Sequence, residues 1–283
     1  MAYPFPDFLL EGHRGARGTM PENTIEGMIK AIHGGANTLE MDLQFTKDGT
    51  VVVAHDPYIN EVYSLDRNGN EIPKLQARKY VIYKMTCDQI QLYDVGSKPH
   101  PNFPLQQNLK LHIPRLKDLI HAVEKHIHDN KLPPIIYNFE IKAGSQGDHL
   151  WHPAPKELTE ILLNEIDAAS IENRFHISSF DMRQLIELKN KRPEIPLSFL
   201  TADKGTSIQE HMDHLGFHTK IFSPYYKTVT KSMVMDCKKL GLKIIPWTVN
   251  QPAEMKRLLK MQVDGIITDY PGLLHKIRSE LKV

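Results

Sequence analysis

The sequence predicts an α/β protein, a (β/α)8 TIM barrel with a small insertion after the second strand. Three observations favour this fold: eight short apolar runs, eight amphipathic runs that alternate with them, and a length of 283 residues without an internal repeat. Strand-then-helix alternation indicates parallel strands joined by right-handed crossovers, and eight such units close into a barrel. An open, doubly wound sheet is the competing architecture.

The predicted strands are short and rich in apolar residues. They cover residues 7–12, 37–45, 134–142, 174–180, 196–201, 220–225, 243–249 and 265–270. The runs between them carry apolar residues at a spacing of about 3.6, which is typical of amphipathic helices. The first of these runs is TIEGMIKAIHG and the last is PGLLHKIRSEL, and a His-rich run near Ile208 to Leu215 follows the fifth strand.

A segment rich in Pro and Gly interrupts the alternation over approximately residues 57–113. It contains DRNGNEIPK and VGSKPHPNFPLQQN, with one short helical run near residues 86–93. A long loop is expected in a compact barrel where it serves function, on the face formed by the βα loops. We therefore predict a single domain over residues 1–283, with this segment inserted in the second βα loop.

The composition excludes several classes of protein. Lys and Arg number 35 and Asp and Glu 34, which gives a formal charge of +1, and 41% of residues are hydrophobic. This balance excludes intrinsic disorder and a polybasic surface for nucleic acid. No window approaches the roughly 18 apolar residues of a membrane span, and the N-terminus lacks the pattern of a signal peptide. We expect no nucleic-acid partner, no stable membrane insertion and a cytoplasmic location. The alternative is a periplasmic or secreted protein whose signal peptide has been removed.

Acidic side chains share one face of two predicted strands. Glu40 and Asp42 alternate with apolar residues in the second strand, as do Glu140 and Lys142 in the third. The apolar faces must meet the helices, so the four charged side chains point into the barrel. Burying three carboxylates is costly unless they are protonated or bind a cation. Oxygen ligands favour one divalent cation, Mg²⁺ or Ca²⁺. An internal salt-bridge cluster around Lys142 is the alternative.

Two histidines are expected beside these carboxylates. Asp48-Gly49 predicts a two-residue hairpin loop after the second strand, and the resulting register places His55 opposite Asp42, about 5 Å away. His13, at the end of the first strand, approaches the same rim from the other side. Imidazole titrates near neutral pH, so one histidine can accept a proton from a nucleophile while the other protonates a leaving group.

Further polar and aromatic residues lie at the same predicted rim. Arg14 and Lys142 are placed to hold a phosphate. Phe180 and Trp247 fit either a core position or a wall of the substrate pocket. The segment PENT at residues 21–24 fits a helix cap, from which the second residue, Glu22, could also reach the site.

Four segments resemble the motifs of the glycerophosphodiester phosphodiesterase family: HRGARGTMPENT, LEMDLQF, DGTVVVAHD and FEIK. Together with IIPWTVN and VDGIITDYPG, they extend the resemblance over nearly the whole chain. The resemblance implies hydrolysis of a glycerophosphodiester to sn-glycerol 3-phosphate and an alcohol. It also favours Trp247 as a wall against the glycerol. It implies metal ligands at Glu40, Asp42 and Glu140, acid/base residues at His13 and His55, and phosphate contacts from Arg14 and Lys142.

Two other functions remain open. A phospholipase C- or D-like enzyme acting on lysophospholipids or inositol lipids would need an apolar, membrane-engaging rim, which the insertion could supply through Tyr58, Ile59, Val62, Tyr80, Val81, Ile82 and Tyr83. A non-catalytic glycerophosphodiester-binding protein would have no need for paired histidines. The sequence also leaves open which histidine is the base, and whether water or the neighbouring glycerol hydroxyl attacks the phosphorus.

Overall fold

The computed structural model describes residues 5–282, and within this range nine strands form one sheet. They are β1 (Leu9–Gly12), β2 (Thr38–Phe45), β3 (Val51–Val53), β4 (Ile136–Ile141), β5 (Phe175–Ser179), β6 (Leu197–Thr201), β7 (Ile221–Pro224), β8 (Lys243–Ile244) and β9 (Gly265–Thr268). Eight strands are parallel in the order β8-β7-β6-β5-β4-β2-β1-β9, and β3 pairs antiparallel with β2.

Backbone hydrogen bonds nearly close this sheet into a barrel. The amide of Asp264 donates to the carbonyl of Ile244 and that of Ile267 to the carbonyl of Pro246, both at 3.0 Å, which brings β8 beside β9. The predicted (β/α)8 barrel is thereby confirmed. The strand predicted at 243–249 is regular only over its first two residues, because Pro246 has no N–H to donate to a ladder.

The barrel strands alternate with helices as predicted, and short helices also occur in the segment that follows β3. They are α1 (Ile25–His33), α2 (Lys74–Ala77), α3 (Cys87–Ile90), α4 (Leu116–Asp129), α5 (Pro155–Ala168), α6 (Met182–Lys191), α7 (Ile208–Leu215), α8 (Lys231–Lys239), α9 (Pro252–Lys260) and α10 (Pro271–Leu281). Local sequence sets their first turns: Thr24 caps α1, and a Ser207–Glu210 capping box opens α7. None of the helices in residues 5–282 is long and apolar enough to cross a membrane.

The two faces of the strands bury different chemistry. Leu39 and Met41 of β2 and Phe139 of β4 pack in one apolar cluster with residues of the surrounding helices. Their neighbours along each strand are polar and equally buried, and they face the inside of the barrel. This alternation, which the sequence predicted, places charged groups at the centre of the fold.

The chain between β3 and α4 has its own apolar cluster. Ile59, Ile82 and Ile90 are buried there together with Val52 of β3, which joins this segment to the barrel. The helical run expected at 86–93 is the shorter α3, which Thr86 caps. The treatment of this segment as an insertion in a single domain stays a prediction.

The hairpin between β2 and β3 differs from the prediction by one residue. Phe45 pairs with Val51, and the amide of Thr46 donates to the carbonyl of Thr50 at 3.0 Å, so the loop contains the three residues 47–49 and not two. The last of them, Gly49, has a φ of +74°, which is typical of a type I turn followed by a left-handed glycine. Asp42 therefore lies opposite Ala54, and the amide of Ala54 donates to the carbonyl of Asp42 at 3.0 Å. The predicted pairing of Asp42 with His55 is wrong.

Candidate active site

A cavity of about 250 Å³ lies at the carboxyl ends of the barrel strands. Its wall includes eight of the nine predicted site residues: His13, Arg14, Glu40, His55, Glu140, Lys142, Phe180 and Trp247. The ninth, Asp42, is fully buried beside them. A larger cavity of about 550 Å³ is lined by the connections that precede β5 and β6, at the opposite end of the barrel, where active sites are not expected.

Three carboxylates meet at the floor of this cavity. Asp42 of β2 is directly paired with Glu140 of β4, and oxygens of Glu40, Asp42 and Glu140 all lie within 4.8 Å of one another. Burial, reinforced by the two neighbouring carboxylates, raises the pKa of Glu40 well above its usual value. One oxygen of Glu40, Oε1, is buried without a hydrogen-bond partner in the described part of the chain. Such an all-oxygen cluster is suited to a divalent cation, which would satisfy that oxygen.

The ammonium group of Lys142 interacts with two of these carboxylates. Its Nζ atom lies 3.0 Å from Asp42 Oδ1 and also pairs with Glu140. Burial disfavours the charged forms of Lys142 and Asp42, but the attraction between their opposite charges has the larger net effect. The pKa of Lys142 is therefore raised, and the pKa of Asp42 lies well below its usual range. The salt-bridge cluster considered as an alternative is therefore present, but within residues 5–282 no Lys or Arg side chain forms a salt bridge with Glu40.

The loop after β1 folds over the carboxylates. The amide of Arg14 donates to Glu40 Oε2 at 2.7 Å, and the Arg14 guanidinium contacts Asp42 at 3.1 Å and Glu22 at 2.8 Å. Gly15 has a φ of +84°, and a Cβ there would lie 2.5 Å from the backbone carbon of Gly27. The glycine is thus required for the loop to pack against α1.

The PENT segment contributes to the site more than its sequence indicated. Thr24 alone supplies the expected helix cap, accepting from the Gly27 amide. Asn23 instead donates from Nδ2 to Asp42 Oδ2 at 2.8 Å and so orients a predicted metal ligand. Glu22 reaches the site by binding the guanidinium groups of Arg14 and Arg17.

Each histidine of the predicted pair is held by a carboxylate. His13 Nδ1 lies 2.7 Å from Oδ1 of Asp269, and His55 Nδ1 lies 3.3 Å from Oδ1 of Asp56. Burial lowers the pKa of His13, and the nearby Asp269 opposes that shift. His55 reaches the cavity although its predicted register is wrong, because the chain leaves the ladder at Ala54 and turns toward Lys142.

Two aromatic rings line the same cavity as the carboxylates. Phe180 and Trp247 pack edge to face with centroids 5.3 Å apart, and the indole N–H donates to the carbonyl of Ser223 at 2.8 Å. Phe180 remains 42% exposed, so its ring is available to a bound molecule. Both residues line the cavity, and their role as a wall against the substrate stays a prediction.

Several residues that surround the site were missed. Asp269 follows β9, and its position at the carboxyl end of a barrel strand was a usable signal. Arg17, which also lines the cavity, is held over the ring of Phe103 at 4.5 Å. Below the carboxylates, Asn138 donates to the buried Glu11 at 2.8 Å, a contact between strands that no local pattern indicates.

Comparison with known proteins agrees with this arrangement. Residues 13–273 match the model of the glycerophosphoryl diester phosphodiesterase family. A glycerophosphodiester phosphodiesterase of Caldanaerobacter subterraneus subsp. tengcongensis is 31% identical over 266 residues, which cover 94% of this chain and 96% of that protein.

Solved structures share the fold over the same extent. A Silicibacter pomeroyi protein attributed to the glycerophosphoryl diester phosphodiesterases superposes with a TM-score of 0.87 and 29% identity, covering 100% of this chain and 96% of that one. An Oleispira antarctica phosphodiesterase in complex with the product sn-glycerol-3-phosphate has a TM-score of 0.74 at 21% identity, with 96% of each chain covered.

The barrel and its carboxylate-lined cavity, taken with these matches, define a TIM-barrel hydrolase of phosphoric diesters. The chain belongs to the glycerophosphoryl diester phosphodiesterase family.

Proposed function

We propose that this enzyme hydrolyses glycerophosphodiesters to sn-glycerol 3-phosphate and a free alcohol, with one divalent cation, Mg²⁺ or Ca²⁺, in its active site. The observation that carries the proposal is the buried trio Glu40, Asp42 and Glu140 between two carboxylate-held histidines. The product bound by the Oleispira antarctica relative supports the choice of substrate.

The three carboxylates are the proposed ligands of the cation. The unpartnered Oε1 of Glu40 and the raised pKa of this residue both indicate a missing positive charge. A bound Mg²⁺ or Ca²⁺ would supply Lewis-acid polarisation of a phosphoryl oxygen. Asn23 fixes the orientation of Asp42, so that this ligand loses little freedom on binding.

Arg14 and Lys142 are the proposed phosphate contacts. Both line the cavity, and both carry a charge that neighbouring carboxylates stabilise. Their positive groups would offset the negative charge that grows on the phosphoryl oxygens during P–O cleavage. Phe180 and Trp247 then present an apolar surface to the carbon atoms of the glycerol.

His13 and His55 are the proposed proton carriers. Each has Nδ1 directed at an aspartate, which leaves Nε2 as the atom that can exchange a proton with substrate. One Nε2 accepts the proton of the attacking hydroxyl as the new P–O bond forms. The other Nε2–H protonates the alcohol oxygen as its P–O bond breaks.

The nucleophile is either water or the glycerol hydroxyl beside the phosphate, in which case a cyclic phosphate forms first and is then hydrolysed. An analogue that lacks this hydroxyl distinguishes the routes. Cleavage of the analogue would exclude the cyclic route, whereas resistance of the analogue supports it.

The test of the proposed function is a coupled assay of sn-glycerol 3-phosphate released from glycerophosphocholine and glycerophosphoethanolamine. We expect release to stop with EDTA and to return with Mg²⁺ or Ca²⁺. The variant His13→Ala should lose about 10³-fold in kcat while still binding the cation, because a proton carrier acts in the chemical step. His128→Ala, at an exposed position, is the matched control. Undiminished release in EDTA, or a kcat of His13→Ala close to that of the wild type, would contradict the proposal.

The lipid alternative loses much of its basis in this structure. Ile59 and Ile82 are buried in the apolar cluster of the inserted segment, and Tyr58 and Tyr80 pack against it. Val62, at 37% exposure, is a member of the predicted rim that does face solvent. If folded protein releases no sn-glycerol 3-phosphate with any cation, lysophospholipids become the next substrates to assay and a binding role follows.

A further inference from the structure

A second cavity of about 510 Å³ adjoins the catalytic one. The two share His55 and Lys142 in their walls, so a molecule held between these residues can extend into both. The far wall of the second cavity is the loop after β4, from which Trp151 and His152 line the space. The roles proposed for His55 and Lys142 concern the wall that the two cavities share. No part of the substrate has yet been assigned to the second cavity.

The loop that forms the far wall is firmly built. His152 is buried, its Nδ1 lies 2.8 Å from the carbonyl of Pro153, and its Nε2 accepts from the amide of Gly144 at 3.1 Å. Gly147 packs on this imidazole so closely that a Cβ would lie 2.5 Å from Nε2. A salt bridge of 2.8 Å between Asp148 and Arg183 ties the loop to α6.

Two groups in this cavity can accept hydrogen bonds. Gln44 is 1% exposed, its Nε2 donates to the carbonyl of His55 at 3.0 Å, and its Oε1 has no partner among the described residues. Asp56 is 20% exposed. Burial opposes the ionisation of Asp56, but hydrogen bonds from His55 and Asn60 outweigh it and hold the pKa of Asp56 below its usual value.

The cavity also offers an aromatic surface. Trp151 lines it, with the ring of Tyr58 6.2 Å away. An indole face attracts cations through its quadrupole, and a nearby carboxylate adds to that attraction. Asp56 and Trp151 together therefore make this space suited to a positively charged group.

We propose that the second cavity is the subsite for the leaving alcohol and that it selects alcohols bearing an ammonium group. The proposal rests on the proposed function, because Phe180 and Trp247 would hold the glycerol on one side of the phosphate and leave the alcohol on the side of His55. The ammonium group contacts Trp151 and the Asp56 carboxylate. Gln44 Oε1 accepts from an N–H donor where the group has one.

Other leaving groups fit this surface less well. An acyl chain would cover the partly exposed, charged Asp56 carboxylate and would offer no donor to Gln44 Oε1, and removing a charge from water without a compensating contact is costly. A neutral polyol could donate hydrogen bonds to these groups, but it carries no positive charge for the carboxylate and the indole to attract. The chemistry of the wall thus favours a cationic alcohol over both.

The test compares kcat/KM for glycerophosphocholine and glycerophosphoethanolamine with kcat/KM for the uncharged glycerophosphoglycerol. In Trp151→Leu we expect the cationic-to-neutral ratio to fall about tenfold, because the strength of a cation–π contact in a partly open cavity lies between its exposed and its desolvated values. Trp151→Phe should restore most of the ratio, since it keeps an aromatic face. Leu150→Ala, on the same loop but 54% exposed, is the control and should leave the ratio unchanged.

A second measurement isolates the carboxylate. Asp56→Asn alters His55 for every substrate equally, so the cationic-to-neutral ratio reports the subsite alone, and we expect it to fall. Free choline should inhibit the wild type more strongly than its uncharged carbon isostere. Ratios that stay constant in both variants, or equal inhibition by the two alcohols, would overturn the proposal. Absence of turnover for all three diesters would instead refute the proposed function.

Discussion

The Nδ1 atom of His13 lies 2.7 Å from Oδ1 of Asp269, although the two residues are separated by 256 positions in the chain. The contact exists because β1 pairs with β9, and the ends of these strands carry the two side chains to one rim. Asn250 donates to the other oxygen of Asp269 at 2.5 Å and fixes the carboxylate. His13 is thereby held with Nε2 toward the cavity.

The first prediction concerns this contact. Asp269→Asn should lower kcat/KM by about 10²-fold or more, because the amide no longer fixes the orientation and tautomer of His13. Asp269 raises the pKa of His13 against the stronger effect of burial, so its loss should move the His13 inflection in the pH profile to lower pH. Asp213→Asn, at an exposed position, is the control. An unchanged profile in Asp269→Asn would show that His13 does not depend on this partner.

The second prediction concerns the amide that holds Asp42. Asn23→Ala should weaken cation binding by about tenfold, since residues that orient a metal ligand typically contribute that much. Binding is measured by isothermal titration of the protein with Mg²⁺ or Ca²⁺. Asn23 has a φ of +56°, so Asn23→Gly is needed to separate loss of the amide from backbone strain. Normal binding in the Gly variant would mean that strain alone explains the Ala variant.

A third prediction concerns Glu11, which is fully buried beneath the site. Burial raises its pKa to about 8, and the hydrogen bond from Asn138 opposes that shift only in part. In the unfolded chain Glu11 ionises above its usual pKa of 4.5. Its contribution to the free energy of unfolding is therefore complete below that pH. It declines by about 1.4 kcal/mol per pH unit as the pH rises to about 8.

Glu11→Gln replaces the protonated carboxyl with an uncharged isostere and should remove this decline. The free energy of unfolding of the variant, minus that of the wild type, should rise between pH 4.5 and about 8. Buried His176 lies 3.8 Å from Glu11, but burial is what lowers its pKa to about 3, and the isosteric variant keeps that burial. The pH dependence that His176 contributes is therefore common to both proteins and cancels. Urea titrations across this pH range measure the difference, and the exposed Glu280→Gln is the control. A difference independent of pH would show that Glu11 is ionised in the fold.

The fourth prediction concerns the aromatic wall. Phe180→Ala should raise KM for glycerophosphodiesters by about tenfold with little change in kcat, because the proposed role of the ring is to contact substrate carbon atoms and not to transfer protons. The exposure of Phe180 lets the fold tolerate its removal. Phe180→Tyr keeps the face of the ring and should behave as the wild type. A fall in kcat at constant KM would assign Phe180 a different role.

The strand pattern determined the location of the acidic cluster without knowledge of the fold. Glu40 and Asp42 alternate with Leu39 and Met41, and this period of two requires that the charged pair face away from the helices. The same pattern fixed the barrel, because eight strand–helix units leave few other topologies. The hairpin register was wrong because loop length depends on the backbone conformation of Gly49, which the dipeptide Asp-Gly does not specify.

The sequence by itself determined the fold class, the polar faces of the second and third barrel strands and the motif residues, since these follow from local sequence patterns. Only the tertiary structure decided their partners: Asp269 for His13, Asn23 for Asp42, Asn138 for Glu11 and the loop after β4 for the second cavity. These contacts join side chains that are distant in the chain. Their geometry depends on how the barrel closes, and no local pattern of residues contains that information.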